Sequence, residues 1–453
     1  MEQDAADQDA AVGAGLETEQ RRSIDALRTW FTANGGYLDP RLQLMYSPER
    51  GQHVVASSAI AASEDAPALL CKCPLSLSLS FLNVEAAPPA GVRPCAASSA
   101  VAHLVGRVER AALSCFLLCE QRLLGTRSFW AAYIACLPRE SDMATPWWFA
   151  DRDLLWLLGT NVHLSAEAER SGVEMRRGMW KAQWEEGVRV LKAAGVDVEE
   201  YTWELYLWAA TIFSSRSFAS RIFSPSVSEP SGQQSFPLLY PVVDSFNHRF
   251  GAKVLWNMDN GDFQMSVAEP AQAGEEVFNN YAPKGNEELL TGYGFCIPNN
   301  PCDEVAMRIG RPPDSVHTLL RSRYPERFAS AEWADTDAVF FLRGSDHYSG
   351  GYQHAEPLLR GLPPELIGTL GAILDHSYRQ QGVELEQHHL EPAAVDAILE
   401  RLAAKHQGIR QWDDQLPAEP QNDRQRFAKM YRDGQLAIME EIMAELQQYL
   451  DRF

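Results

Sequence analysis

The chain lacks cysteine pairs at metal spacing: none of its eight cysteines, from Cys71 to Cys302, forms a CxxC, and no histidine cluster follows them. A zinc finger is therefore excluded, and the thiols read as reduced and mostly buried. The chain also lacks an uncharged apolar run of about 18 residues, and its start carries Glu2, Asp4, Asp7 and Asp9 where a secretory signal needs bases and then apolar residues. A soluble protein of cytosol or nucleus is the expectation, with no membrane partner. Positive charge is scarce: 40 Lys and Arg stand against 61 Asp and Glu, a formal charge of -21. Such a surface repels a phosphate backbone, so sequence-independent nucleic-acid binding is not expected. Internal repeats are missing as well. What is present is core material: 453 residues, 45% hydrophobic, with 12 Trp, 14 Tyr and 19 Phe, enough for two or three domains.

Residues 1–20 hold six acids and no base and read as a solvated tail. Ile24, Leu27, Trp30 and Phe31 fall on one helical stripe that Asn34-Gly35-Gly36 terminates. Between Gln52 and Phe81 the pattern turns to short strands: His53 to Ala56, Leu69 to Cys73, and the alternating Leu75, Leu77 and Leu79. Ala86 to Pro94 is a Pro- and Ala-rich linker. From about residue 101 to 205 apolar residues recur at three and four, which predicts a helical insertion. Ser224 to Ser235 reads as a loop. Strands resume at Leu238 to Val243, Lys253 to Trp256, Phe263 to Val267 and Glu276 to Phe278, with Asn260-Gly261 as a hairpin turn. Beyond about residue 299 the pattern is helical, with Tyr431, Ile438, Ile442, Leu446 and Leu450 on one face.

Two polar clusters could carry chemistry. Asp244-Ser245-Phe246-Asn247-His248 follows an apolar run, where polar groups often converge on a ligand. Asn279-Asn280-Tyr281 precedes a turn and the ending Gly292-Tyr293-Gly294-Phe295. Taken singly, the first reads more readily as a satisfied turn than as a site, and the second as an aromatic core with a polar turn. Asp151-Arg152-Asp153 reads as a helix start, His388-His389 as surface, and Trp147-Trp148 with Trp203, Tyr206 and Trp208 as packing.

In combination and order these stretches resemble the SET-domain protein methyltransferases of the Rubisco large-subunit lysine methyltransferase-like subgroup. The resemblance rests on Arg50 to Ala56, Ser214 to Phe218, Pro241 to His248, Gly274 to Tyr281 and Glu287 to Phe295, and extends over residues 20–453. It implies an α+β SET fold: short β-sheets with a knot-like crossing, split by the helical insertion and followed by an all-α C-terminal domain. The SET pieces would be 21–100 and 206–298, and the helical substrate-binding-like domain 299–453. The implied cofactor is S-adenosyl-L-methionine, held by Gly51, Gln52, His53, Arg216, Asn247, His248 and Phe295. Tyr281 matches the catalytic tyrosine, and Phe218, Trp256 and Tyr293 fall where the target channel is lined. No metal is implied.

The resemblance has two departures. His53 stands where the first motif has its second glycine, and Ala282 where glycine follows the tyrosine. The function implied is methylation of a lysine in a non-histone protein such as a ribosomal protein or translation factor, by a monomer acting on a protein partner, possibly a basic one. Two readings stand beside it. Histidine methylation would want a polar residue at Phe218, and a catalytically silent binding module would follow if His53 abolished cofactor binding.

Overall fold

The computed structural model describes residues 19–95, 99–164, 172–220, 235–259, 261–384 and 386–453. The expected acidic tail, apart from residues 19 and 20, and nearly all of the Ser224 to Ser235 loop lie outside the described residues. The chain divides into two compact units, Met1–Met143 with Arg177–Pro283 and Ala144–Arg176 with Lys284–Phe453.

In the first unit, residues 19–33 are helical, and Gly35, at φ 88°, supplies the left-handed turn that stops them. The strands are β1 (Tyr37–Leu38), β2 (Leu42–Ser47), β3 (Gly51–Ala56), β4 (Ala68–Pro74), β5 (Phe218–Ala219), β6 (Pro237–Leu238), β7 (Val254–Asp259) and β8 (Asp262–Val267). They form one four-stranded antiparallel sheet, β1-β4-β8-β7, and the pairs β2-β3 and β5-β6. In β8 every second residue, Phe263, Met265 and Val267, is buried, which is the period of a strand with one face on the core. Asp259 pairs with Asp262, the register of a two-residue loop; Gly261 takes φ 89°, and Asn260 lies outside the described residues.

The helices Arg110–Leu123 and Trp203–Arg216 pack on each other. Thr202 Oγ1 caps the second by accepting from Leu205 N at 3.2 Å. Phe116 of the first meets Tyr206 of the second with ring centroids 5.0 Å apart. The helix Gly172–Ala193 approaches so closely at Gly187 that a Cβ there would stand 2.0 Å from the Phe116 ring. All eight cysteines are free and seven are buried, as the sequence suggested.

Three strand expectations fail. Glu276 to Phe278 makes only the isolated bridge of Glu276 with Val55. Leu75–Leu77 forms a 3-10 turn rather than a strand, because Ser78 Oγ and Ser78 N both bond back to Leu75 O. Leu77, Ser78, Leu79 and Ser80 are all buried, so the leucine–serine alternation does not separate a core face from a wet one. The run after Leu238 also stops short. Leu239 makes a single bridge to Leu79, Val242 takes φ 71°, and Val243–Ser245 closes a 3-10 turn. A β-branched residue at positive φ is costly, and it re-aims the chain just ahead of Asp244.

The second unit holds the helices Asn286–Tyr293, Asp314–Arg323, Pro364–Gln380, Gln387–Arg410 and Asp423–Leu450. The expected all-helical region carries in addition one antiparallel pair, β9 (Glu304–Arg308) with β10 (Val339–Arg343). Its core gathers Val305, Leu342, Leu366, Ile398, Met439 and Ile442. Asp153, 2% exposed, accepts from Ala150 N as a first-turn acid and also from Asn422 Nδ2 and Gln425 Nε2. Among the described residues no helix is long and apolar enough to cross a membrane.

Candidate active site

The site begins at the turn between β2 and β3. Gly51 sits at φ 62°, and nothing lies within 4 Å of where its Cβ would be, so the backbone there borders open space. From β3 the ladder continues onto residues 274–281: Gly274 N donates to Ala56 O at 2.7 Å, Ala56 N to Glu275 O at 2.9 Å and Val277 N to Val54 O at 2.8 Å. The other edge of the same segment pairs with residues 247–249, through Asn279 N to Asn247 O at 2.8 Å and Arg249 N to Asn279 O at 3.0 Å. His248 and Asn279 form a parallel bridge. Backbone pairing alone therefore brings the first turn, the Asn-His pair and Tyr281 side by side, from three distant stretches of sequence.

Side chains tighten the arrangement. Asn247 Nδ2 donates to Arg50 O at 3.2 Å and to Glu276 Oε1 at 2.9 Å, and Arg50 pairs with Glu276 at 3.2 Å. Gln52 Nε2 donates to Ser245 Oγ at 2.9 Å. His53, 6% exposed, sets Nδ1 3.0 Å from Gly51 O, a contact that puts the proton on Nδ1 and leaves Nε2 as the acceptor in the neutral ring. His248 has the opposite arrangement: its Nδ1 accepts from Tyr281 N at 3.0 Å, so Nε2 carries the proton, and its ring stacks on Tyr281 at 5.0 Å and 19°. Tyr281 donates its hydroxyl to Phe246 O at 2.9 Å, which fixes the phenol and leaves the oxygen lone pairs turned from that carbonyl.

Arg216 ends the helix Trp203–Arg216. Its Nη1 donates to Asp244 O at 3.0 Å and Asp244 Oδ2 at 3.3 Å. Tyr133 donates to the same Oδ2 at 2.8 Å. Burial raises the Asp244 carboxyl above its ordinary value, against the pull of Arg216 and the two donors. For Arg216, burial works against the charge but is outweighed by Asp244, then Tyr133 and Tyr281, so its pKa rises.

The aromatic wall is built from β5, β7 and β8. Phe218 meets Phe263 at 5.2 Å, Trp256 at 5.6 Å edge-on and Tyr240 at 6.0 Å edge-on. Trp256 Nε1 donates to Asn279 Oδ1 at 3.1 Å, which ties the wall to the Tyr281 segment. Sequence reasoning named Phe218 and Trp256 for the wall and placed Asn279 in a candidate polar cluster, but gave no site role to Phe263, Tyr240 or Tyr133. The alternation in β8 could have found Phe263, whereas Tyr133, 111 residues from Asp244, left no local signal.

Tyr293 and Phe295 belong to the second unit, at the end of the helix Asn286–Tyr293, which Gly294 closes at φ 82°. Their rings meet edge-on at 6.2 Å, and burial pushes the Tyr293 hydroxyl up to about 12. Among the described residues no group of three or more His, Cys, Asp or Glu could hold a metal ion.

Comparison with solved structures gives the fold. The chain has the fold of the SET domain of LSMT crystallised with lysine and AdoHcy, with a TM-score of 0.66 and 17% identity over 96% of this chain and 93% of that one. Rubisco LSMT bound to AdoMet superposes with a TM-score of 0.63, over 95% and 92% of the two chains. The fold expected from the motif order is thus the fold found. By sequence, the chain is 28% identical over 350 residues to Ribosomal lysine N-methyltransferase set10 of Schizosaccharomyces pombe, covering 74% of this chain and 58% of that protein. Over 85 residues, 19% of this chain and 15% of the other, it is 44% identical to Ribosomal lysine N-methyltransferase 1 of Saccharomyces cerevisiae. The Actin-histidine N-methyltransferase of Mus musculus is 24% identical over 82% of this chain and 55% of its own length. The chain thus spans little more than half the length of the relatives that it matches over most of itself. No family model matches it.

Proposed function

We propose that this chain is an S-adenosyl-L-methionine-dependent methyltransferase acting on a lysine of a non-histone protein, with a ribosomal protein as its substrate. The backbone pairing that sets Gly51, Asn247 and Tyr281 side by side, with Arg216 held by Asp244 three positions ahead of Asn247, carries the reading. Likeness to ribosomal lysine methyltransferases supports the substrate class. A ribosomal substrate places the reaction in cytosol or nucleus.

The donor set fits the cofactor's zwitterionic end. Arg216 is a cation whose Nε and Nη2 take no acceptor among the described residues, suited to a carboxylate. Asn247 spends its amide N–H groups on Arg50 O and Glu276, so its Oδ1 is the atom left for an ammonium. The open backbone at Gly51 admits close approach, and His53, folded back onto Gly51 O, does not occupy that space by reaching outward. The cofactor supplies an electrophilic methyl on a sulfonium. His248 holds the Tyr281 backbone through Nδ1, and Gln52 braces the turn against Ser245.

The chain's own work is to present a neutral amine in line. A free lysine with pKa near 10.4 is neutral in about one molecule in a few thousand at pH 7, so the amine must lose a proton on entry. Phe218 and Trp256, backed by the fully buried Phe263, set apolar surface against the alkyl stem and penalise the charged form by desolvation. Tyr281, its proton held by Phe246 O, offers an oxygen lone pair to an amine N–H and so aims the nitrogen's own lone pair. Orientation of this kind supplies up to about 7–11 kcal/mol of a displacement barrier.

Histidine methylation is the second reading, favoured by likeness to the actin-histidine enzymes. The wall at Phe218 weighs against it, because it offers an imidazole rings rather than a hydrogen-bonding side chain. Calorimetric titration with S-adenosyl-L-methionine tests the cofactor reading directly. Micromolar or tighter binding is expected, and no binding would return the chain to a silent scaffold.

A further inference from the structure

Tyr133 comes from the short helix Ala131–Ile134, inside the helical insertion, and is 2% exposed. Its hydroxyl meets Asp244 Oδ2, whose side chain is 2% exposed, and Asp244 in turn meets Arg216, at 18%. Burying such a pair costs several kcal/mol of desolvation before any attraction is counted. An Arg–carboxylate pair kept for stability would use the guanidinium fork at two points. Here Nη1 alone is engaged, by the Asp244 carboxylate and by the Asp244 carbonyl, and the remaining donors of Arg216 have no acceptor among the described residues. The carboxylate thus fixes one corner of the guanidinium and leaves the other donors for an anion.

Tyr133 does for Asp244 what Asp244 does for Arg216. Burial favours the protonated Asp244, and the hydroxyl donor is one of the groups that hold it ionised. The groups facing Asp244 are Arg216 and Tyr133, together with the thiols of Cys71, Cys73 and Cys136; Arg216 is also faced by Tyr281. Among the described residues Asp244 is the carboxylate that acts on Arg216. We infer that Tyr133, acting through Asp244, is a positioning residue that holds Arg216 ready for the carboxylate of the cofactor's amino-acid end. The inference rests on the cofactor reading above.

Two ligands separate the possibilities: S-adenosylhomocysteine, which has the carboxylate, and methylthioadenosine, which shares the nucleoside thioether and lacks the amino-acid end. Calorimetry on the full chain is expected to show Tyr133→Phe weakening S-adenosylhomocysteine about 5- to 20-fold while methylthioadenosine stays within about twofold. At saturating cofactor the variant should keep its turnover, so that the loss lies in KM. Asp244→Asn, which keeps shape and an acceptor oxygen but not the charge, should move the two ligands apart in the same direction, and it decides the matter if Tyr133→Phe does not fold. Equal weakening of both ligands, or no change in either, overturns the inference and leaves the cofactor reading standing. Failure of the wild-type chain to bind either ligand overturns both.

Discussion

The proposed chemistry turns on Tyr281. Its hydroxyl donates to Phe246 O, its backbone N–H is held by His248 and its ring lies on that imidazole, so removing the oxygen should leave the ring in place. Tyr281→Phe is expected to lower kcat by two to four orders of magnitude, the usual worth of a positioned hydroxyl, with cofactor affinity unchanged. Wild-type turnover in that variant would remove the role. The next residue carries the cost of a sequence departure. Ala282 takes φ 79°, a left-handed conformation that costs an alanine about 1 kcal/mol and a glycine almost nothing. Ala282→Gly should therefore raise the denaturant midpoint slightly despite glycine's looser unfolded state, and a fall would show that the strain is absent. Both residues were legible as a motif. The pairing that fixes Tyr281, to Phe246 O and the His248 ring 33 to 35 positions away, was not, whereas Ala282 N is held locally by Asn280 Oδ1.

At the scale of elements, local pattern served the helices and the β7-β8 hairpin, where one period runs unbroken. It failed at Leu75–Leu77 and after Leu238, where serine side chains and a positive φ at Val242 override the apolar pattern. These failures come from tertiary demands that a linear pattern does not carry. Helix packing yields a prediction with a diagnostic sign. Gly→Ala inside a helix ordinarily stabilises by about 0.5–1 kcal/mol, but at Gly187 the added methyl would strike the Phe116 ring, so Gly187→Ala should destabilise by about 1–3 kcal/mol. A rise in thermal midpoint would contradict that packing. In the second unit, Asp303 accepts from Asn286 N and Asn286 Nδ2 at the start of the helix Asn286–Tyr293. Burial raises its carboxyl to about 6 against those hydrogen bonds. A raised carboxyl gives stability that is complete below its unfolded pKa near 3.9 and is lost as pH rises through the folded value. Urea unfolding should accordingly show the wild type losing more stability than Asp303→Asn between about pH 4 and 6; parallel curves would refute it.

The whole molecule carries its acidity unevenly. Residues 301–453 hold 25 acids against 16 bases, whereas residues 21–300 hold 30 against 24. A protein substrate rich in lysine and arginine would be drawn to such a surface, and the attraction would be screened within about 8–10 Å at physiological salt. Activity on a basic substrate should thus fall as salt rises, chiefly through kcat/KM, and salt-independent activity would separate substrate choice from charge. The central claim is the transfer itself. Its most direct test incubates the purified chain with isotope-labelled S-adenosyl-L-methionine and a methyl-depleted lysate, and locates the label by mass spectrometry. Label on a lysine of a ribosomal protein, lost in Tyr281→Phe, is the predicted result, whereas label on histidine, or on no protein at all, would contradict the account.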